Sequence, residues 1–330
     1  MDWTRRNLCG VLAGGVSALT LARIEPLGAQ EAYPTRGVKV VVPFPAGAGS
    51  DVVMRLIAEQ MARDLGQNFI IENQIGASGA IGTATIAKAA PDGYTLGVGG
   101  TSALATAERL VPNLSYNPRN DLTQIALLAT FPQILAVNGK LGISSLADLI
   151  AQAKANPGKL NFGSLGRGTS YHFGGELLKL RAGVDLTHVP YTKSSDLLSD
   201  LMTGRIDLSF SLWPIIQSQV KDGTLKALAV STPARLPGLA DVPTFAELGF
   251  DNFNLMGWIS LMGPAKLPPE IVAKLNKSAN AALATPSVAE KIAATGGTPG
   301  GGTPEAMQRY LESEIALLGQ LMDHLGMTKA

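Results

Sequence analysis

The sequence predicts an α/β protein built of two similar lobes, and three observations carry that prediction. One pattern (strand, small-residue loop, helix, strand, helix, strand) is written twice, over Val38–Gly100 and over Lys159–Leu212. In each copy the first strand empties into a loop of small residues that leads straight into a helix. Strands alternate with helices throughout, as parallel sheets require, because each parallel crossover needs a helix.

In the first copy the apolar run Val38, Val40, Val41, Val42 enters a loop from Pro43 to Asp51. Val52, Val53, Leu56, Ile57, Met61 and Leu65 recur at helical spacing, and Gly66 stops that helix. Asn68–Asn73 reads as the second strand, 76–79 as a turn, Ile81–Ala90 as a helix and Tyr94–Val98 as the third strand. The second copy repeats the order. A strand at Leu160–Phe162 enters the loop 163–170, and a helix through Phe173, Leu177, Leu178 and Leu180 ends at Gly183. Asp185–Tyr191 is its next strand, Ser195–Met202 its second helix, stopped by Gly204, and Arg205–Leu212 its third strand.

Ala126–Val137, with Pro132 inside it, reads as a single strand crossing between the lobes. Met256–Pro264, following the Leu225–Val230 strand, reads as the return. Pro269 and Pro304 each sit at the first turn of a closing helix, the position proline prefers, and both helices are expected to cover the first lobe. The expected division is 33–132 plus 253–330 for lobe one and 133–252 for lobe two.

The N-terminus reads as a targeting segment. Arg5 and Arg6 precede a weakly apolar stretch from Leu8 to Ala22, shorter than the ~20 residues a bilayer span needs. Leu27-Gly28-Ala29 offers a small-residue cleavage site, and the arginine pair favours a twin-arginine signal over 1–29, with an ordinary secretory signal as the alternative. Export is expected either way. The single cysteine, Cys9, leaves with that segment, which excludes disulfides, thiol catalysis and cysteine–metal sites. The chain carries 27 Lys+Arg against 26 Asp+Glu, and the leader holds Arg5, Arg6, Arg23, Asp2 and Glu25, so the rest is charge-balanced. A neutral surface gives nucleic acid nothing to bind.

What remains is the chemistry of the two loops. An acid group meeting a helix N-terminus finds unpaired backbone N–H groups and a favourable dipole. Ala46, Gly47 and Gly49 in one loop, and Gly166 and Gly168 in the other, let backbone approach a ligand closely. Ser50, Thr169 and Ser170 either cap their helices or donate hydroxyls. Four charge-assisted hydrogen bonds at about 1.5–3 kcal/mol each leave room for micromolar affinity after association costs, with no side-chain cation.

Rival readings are a pair of ligand-free tight turns, or a dinucleotide fingerprint. Gly47-Ala48-Gly49 begins that fingerprint, but Val52 stands in its third glycine position. No nucleophile elbow, zinc-protease motif or phosphate loop occurs. His172, His188 and His324 are scattered, so neither metal nor cofactor is expected. His172, in the first turn of the second loop's helix, fits a capping network or a ligand shell. An exported hydrolase using Ser50 or Ser170 with His172 is the enzymatic alternative.

Several stretches together resemble the Bug/TctC receptors, the extracytoplasmic solute receptors of tripartite tricarboxylate transporters. They are Pro43–Asp51, Glu72-Asn73, Ala89–Tyr94, Asn156–Lys159, Gly166–His172, His188–Tyr191, Asp241–Thr244 and Gly257-Trp258. They fall in the family's order over essentially the whole chain after the leader. The resemblance implies a two-lobed, periplasmic-binding-protein-like fold of type II (Venus-flytrap), with a ligand cleft between two parallel or mixed sheets. It implies a non-enzymatic, monomeric periplasmic receptor that takes a small carboxylate and serves membrane transporter subunits, or alternatively a sensor kinase.

By position, the family's carboxylate pincers fall at 44–51 and 164–170. The ligand-binding set this implies is Phe44, Ala46, Gly47, Gly49, Ser50 and Asp51 with Ser164, Arg167, Gly168, Thr169, Ser170 and His172. Thr101 and Ser102, at the end of the third strand, are placed to meet the ligand's far end. The chain departs from the family in carrying Arg167 where a small or amide residue is frequent, and Ser211-Leu212-Trp213 where Asp-Asn usually follows the strand. Arg167 and Trp213 therefore suggest a less cationic ligand end, with an aromatic one in view for Trp213.

Overall fold

The computed structural model describes residues 33–327, except 252 and 254. The targeting segment expected over 1–29 lies outside the described residues. Eleven strands among these residues form two mixed sheets, one per lobe.

The first copy folds as β1 (Val38–Val42), α1 (Gly49–Leu65), β2 (Phe69–Asn73), α2 (Ala80–Ala87) and β3 (Thr95–Gly100). β1 lies between β2 and β3 and is parallel to both. The second copy folds as β6 (Asn161–Ser164), α5 (Ser170–Ala182), β7 (Thr187–Pro190), α6 (Ser194–Thr203) and β8 (Leu208–Ser211). β6 likewise lies between β7 and β8, parallel to both. The repeat read in the sequence is thus a repeat of topology, and each copy sends the helix of its first strand out of the same end of its sheet.

Next to each third strand the sheet continues with an antiparallel neighbour. β10 (Met256–Pro264) pairs with β3, and β5 (Ile134–Asn138) pairs with β8. β4 (Leu122–Pro132) and β11 (Thr298–Gly301) complete a six-stranded sheet in the order β11-β4-β10-β3-β1-β2. β9 (Leu225–Val230) completes a five-stranded sheet in the order β7-β6-β8-β5-β9.

The crossing strand expected over 126–137 is two strands, broken at Gln133. Proline at 132 has no N–H to continue the ladder. At Gln133 the backbone N–H turns away instead and donates to Ser231 Oγ at 2.9 Å. β4 therefore serves the six-stranded sheet and β5 the other. Several elements had no expectation: α3 (Ala107–Leu110), α4 (Leu146–Ala155), α7 (Trp213–Lys221), α9 (Pro286–Ala294) and β11.

Both faces of the six-stranded sheet are covered, which is why β1, interrupted only by Lys39, is otherwise all valine. Val38, Val40 and Val42 face Met54, Ile57 and Met61 of α1, together with Leu275, Ala279 and Leu283 of α8 (Pro269–Leu283). Val41 faces the opposite side, where Trp258 and Met262 meet Leu311, Ile315 and Leu318 of α10 (Pro304–His324). The closing helices thus flank the first lobe. In the second lobe α5 sits directly on aromatic rings: a Cβ at Gly175 would lie 2.2 Å from the Phe162 ring. Only glycine lets the helix pack that closely.

Candidate functional site

The first loop is shaped from beneath by one carboxylate. Asp51, 2 % exposed, accepts hydrogen bonds from Gly47 N–H (2.9 Å), Arg55 Nε (2.9 Å) and Asn73 Nδ2 (2.8 Å). The Asn73 amide also donates to Phe44 O at 3.0 Å, so both ends of the loop are tied to the end of β2. Burial pushes the Asp51 carboxyl up, but the bonds from Arg55, Gly47 and Asn73 outweigh it and hold it below the usual carboxylate range. Asp51 is therefore a strut of the loop, with its acceptor capacity used inside the protein rather than offered to a ligand.

The loop's tip is open. Ala46 and Gly47 are exposed, Phe44, Gly49 and Ser50 are half-buried, and Gly47 adopts a left-handed φ of 78°. Ala48, not Ser50, is the N-cap of α1, and no side chain caps it. The first helical bond runs from Val52 N–H to Ala48 O at 3.0 Å, which leaves the N–H groups of Gly49, Ser50 and Asp51 ahead of it.

The second loop is held by its own side chains. Ser164 Oγ lies 2.7 Å from His188 Nε2 and accepts Gly166 N–H at 3.1 Å. Thr169 Oγ1 donates to Gly166 O at 2.8 Å and accepts His172 N–H, capping α5. His172 Nδ1 accepts Gly168 N–H at 3.4 Å. The His172 and His188 rings lie 4.4 Å apart, and His188 stacks on Phe162 at 4.8 Å. Burial, with smaller contributions from nearby positive charge, lowers His172 to about 3 and His188 to about 4. Ser164, Thr169 and His172 are thus builders of the loop. His172 belongs to the capping network, neutral at ordinary pH and 4 % exposed. It is no base for Ser170. Phe173 N–H makes the first bond of α5, to Thr169 O, which leaves the N–H groups of Ser170 and Tyr171 ahead of it.

The two helix starts approach one rung of the first sheet. Gly257 on β10 and Phe131 on β4 are register partners. A Cβ at Gly49 would lie 3.5 Å from the Phe131 ring, and a Cβ at Gly257 would lie 3.3 Å from Ser170 Oγ. Nearby, a Cβ at Gly100 would meet the Phe44 ring at 3.0 Å. Thr101, the next residue, is buried with its hydroxyl unpartnered, and it begins a π-helical turn over Thr101–Thr106.

That turn meets the second loop. Thr106 Oγ1 lies within donating distance of both Ser102 O (3.2 Å) and Gly168 O (3.3 Å), and a cavity of about 270 Å³ beside this contact is lined by Ser78, Ser102, Thr106, Leu110, Val111 and Arg167. A larger groove, about 640 Å³, runs along β2 and α1 by Arg63 and Ile70 and contains no residue of either loop.

Trp213 does not line the cavity. Half-buried, it opens α7 and packs against the second lobe's core beside Leu239 and Ile216, its Nε1 lying 2.9 Å from where a Cβ at Gly238 would be. Four residues around the cleft had no functional expectation: Ser78, Thr106, Phe131 and Gln133. Ser78 had a visible signal, its place in a Gly-Ala-Ser-Gly turn. Thr106, Phe131 and Gln133 are brought to the cleft only by pairing and crossover.

The family profile described as tripartite tricarboxylate transporter family receptor matches residues 53–327. The chain is 36 % identical over 302 residues to Protein BugT of Bordetella pertussis, covering 91 % of this chain and 92 % of that one. The R. palustris protein Rpa4515, solved with adipate, superposes with a TM-score of 0.82 at 36 % identity, covering 90 % of this chain and all of that one. MatC from Rhodopseudomonas palustris, solved with bound malate, superposes at 0.77 with 32 % identity, covering 88 % and 99 %. The fold is accordingly that of the two-lobed periplasmic binding proteins.

Proposed function

Because this chain belongs to the tripartite tricarboxylate transporter receptor family, which consists of binding proteins and not enzymes, we propose that it captures a small organic acid in its interlobe cleft and delivers it to the membrane subunits of such a transporter. The supporting observation is the approach of two uncapped sets of helix N–H groups, at Gly49–Asp51 and Ser170–Tyr171, to the single rung Phe131–Gly257. A carboxylate between them gains backbone hydrogen bonds and two favourable helix dipoles, with no side-chain cation at that end. The relatives solved with adipate and malate support a small carboxylate as the ligand.

Ligand touching both lobes favours the closed arrangement, since only differential contact shifts such an equilibrium. In this reading Gln133 and Ser231 stand at the hinge, between a lobe of 33–132 with 253–330 and a lobe of 133–252. Phe44, Gly47, Gly49, Ser50, Gly168 and Ser170 supply the grip, and Thr101 supplies the hydroxyl nearest the ligand's body. Residues 1–29 act as the export signal, removed near Ala29.

Isothermal titration of the purified protein with small mono- and dicarboxylates tests this. The expected result is saturable, stoichiometric binding of at least one acid with no turnover, weakened by Gly47→Val. That substitution strains a left-handed position and crowds the tip, where nothing now lies within 4 Å of a Cβ. Unchanged affinity in Gly47→Val removes the first loop from the site.

A further inference from the structure

We propose that one flank of α5 draws the two lobes together before any acid binds, so that the closed arrangement is the majority form of the free receptor and entry of the ligand waits on opening. The proposal rests on the receptor reading above and concerns how its cleft closes.

The buried cluster on the α10 side of the six-stranded sheet is built from first-lobe residues, among them Val41, Leu104, Trp258 and Leu311. One member is foreign to it. Among the described residues, Phe173 of α5 is the single second-lobe side chain in that buried set, and it is 0 % exposed. Leu177 and Leu180, both half-buried, pack against the same cluster.

These three positions form one stripe. At about 3.6 residues per turn, residues 173, 177 and 180 fall within an arc of ~60° on the helix. Gly174, Gly175 and Leu178 lie on the opposite side and belong to the helix's own lobe. A Cβ at Gly174 would lie 2.5 Å from the Phe210 ring and one at Gly175 2.2 Å from the Phe162 ring, while Leu178 joins the second lobe's core. Leu177, at the edge of the stripe, touches both cores. The helix is therefore packed twice, by its own sheet through glycines and by the other lobe through Phe173 and the two leucines.

The stripe continues a contact already described. Leu110, whose Cδ1 faces Gly168, packs against the same cluster that receives Phe173. Opening the cleft would draw the Phe173 ring out of that cluster and into water. Burial of an aromatic ring is among the largest apolar gains one side chain supplies, and no part of it depends on ligand. The helix that presents the Ser170 and Tyr171 N–H groups is thus seated in the first lobe by its flank, within a turn of those groups. A key of this kind holds the amides in place for the acid and hides them until the lobes part.

Small-angle scattering and stopped-flow fluorescence of wild type, Phe173→Ala and Leu180→Gln test this, with adipate and malate as the acids. Trp258, in the same cluster as Phe173, is the fluorescent reporter. Wild type without acid is expected to scatter as the closed arrangement, with little further change in radius of gyration when acid is added. Both variants expand without acid and return to the wild-type radius with it. The kinetic signature is a divergence. In Phe173→Ala association becomes about tenfold faster, because the open form is no longer scarce, while affinity falls about three- to tenfold. General damage to the fold lowers Tm and the active fraction but does not speed association. Leu180→Gln, at a half-buried position, shows the same divergence more weakly and decides the matter if Phe173→Ala does not fold.

Wild type that compacts on binding as far as the variants do, or variants whose association is unchanged or slower, overturn the key while leaving the receptor reading intact. Wild type that binds neither acid counts against the receptor reading, and the scattering of the acid-free proteins then decides the key by itself: equal radii overturn it.

Discussion

Thr106, on the first lobe, sets its hydroxyl 3.3 Å from the carbonyl oxygen of Gly168 on the second, its one proton shared between that acceptor and Ser102 O, 3.2 Å away on its own turn. Gly168 is left-handed at φ 85°, and a Cβ there would come within 2.7 Å of Leu110 Cδ1. A side chain at 168 would be strained by the left-handed backbone and would press on the Leu110 methyl where the lobes meet. Gly168→Val should hold them apart and weaken acid binding by on the order of 10–100-fold, since both strain and overlap act against closure. Thr106→Val removes the hydroxyl from both Gly168 O and Ser102 O at nearly constant volume and should weaken binding about three- to tenfold. Titration calorimetry reads the affinities, and small-angle scattering should show Gly168→Val failing to compact on adding ligand. Full compaction in that variant would remove this contact from the closing mechanism.

The Asp51 strut carries a separate prediction. Asp51→Asn keeps the size but gives up the charge that Arg55 neutralises, and it turns one acceptor into a donor facing Arg55 and Asn73. Stability at pH 7 should fall by about 2 kcal/mol, and affinity should fall with it because Gly47 loses its anchor. The native carboxyl sits below its ordinary range, so its contribution is present above pH ~4 and lost as pH falls through the depressed folded value. Urea unfolding of both proteins should therefore show a difference that shrinks on the acid side. A difference constant down to pH 3 contradicts the charged strut.

Local signals made the repeat legible. Gly66, Gly183 and Gly204 each end a helix in left-handed backbone, where the sequence places them. α4 also had a signal, Ser145 accepting Asp148 N–H as an N-cap, but it falls between the two copies and the repeat gave no reason to look for it. β11 had none. Thr298-Pro299-Gly300-Gly301 has no apolar alternation and is a strand only because β4 offers an edge to pair with. At the site, the loops and the approach of their backbone were readable because glycine and helix starts are local features. The roles of Asp51, His172 and Trp213 were not. Their local partners (Gly47 and Arg55 for Asp51, Thr169 and Gly168 for His172) left more than one role open, and the deciding neighbours Asn73, His188 and Gly238 are brought in by the fold, to which spacing along the chain is blind.

The two imidazoles under the second loop set the acid limb of stability. Their folded values lie below those of free histidine, so between about pH 4 and 6.5 the unfolded chain binds more protons than the folded one. Stability therefore falls as pH drops through that window and is insensitive to these groups above it. His172 alone accounts for about 2 kcal/mol between pH 7 and pH 5. His172→Asn, which keeps an acceptor near the position of Nδ1, should flatten this limb in a series of melts from pH 7.5 to 4.5. An unaltered slope would show that His172 is not buried neutral.

Glu314 imposes the opposite slope. It lies on α10, 8 % exposed, and accepts the Trp258 Nε1 hydrogen bond at 2.9 Å. Burial raises it to about 7, and the bond from Trp258 offsets only part of that rise. A carboxyl with a raised folded value binds more protons folded than unfolded between about pH 4.5 and 7. Its neutral form therefore supports the fold at the acid end, and stability falls as pH rises to 7 and then levels off. Glu314→Gln retains an acceptor for Trp258 and removes the buried charge, so it should stabilise the protein at pH 8 by ~3 kcal/mol and have little effect at pH 4.5. Melting curves at the two pH values decide the matter. A loss of stability at pH 8 would mean that the ionised carboxylate, rather than the neutral acid, is the form Trp258 requires.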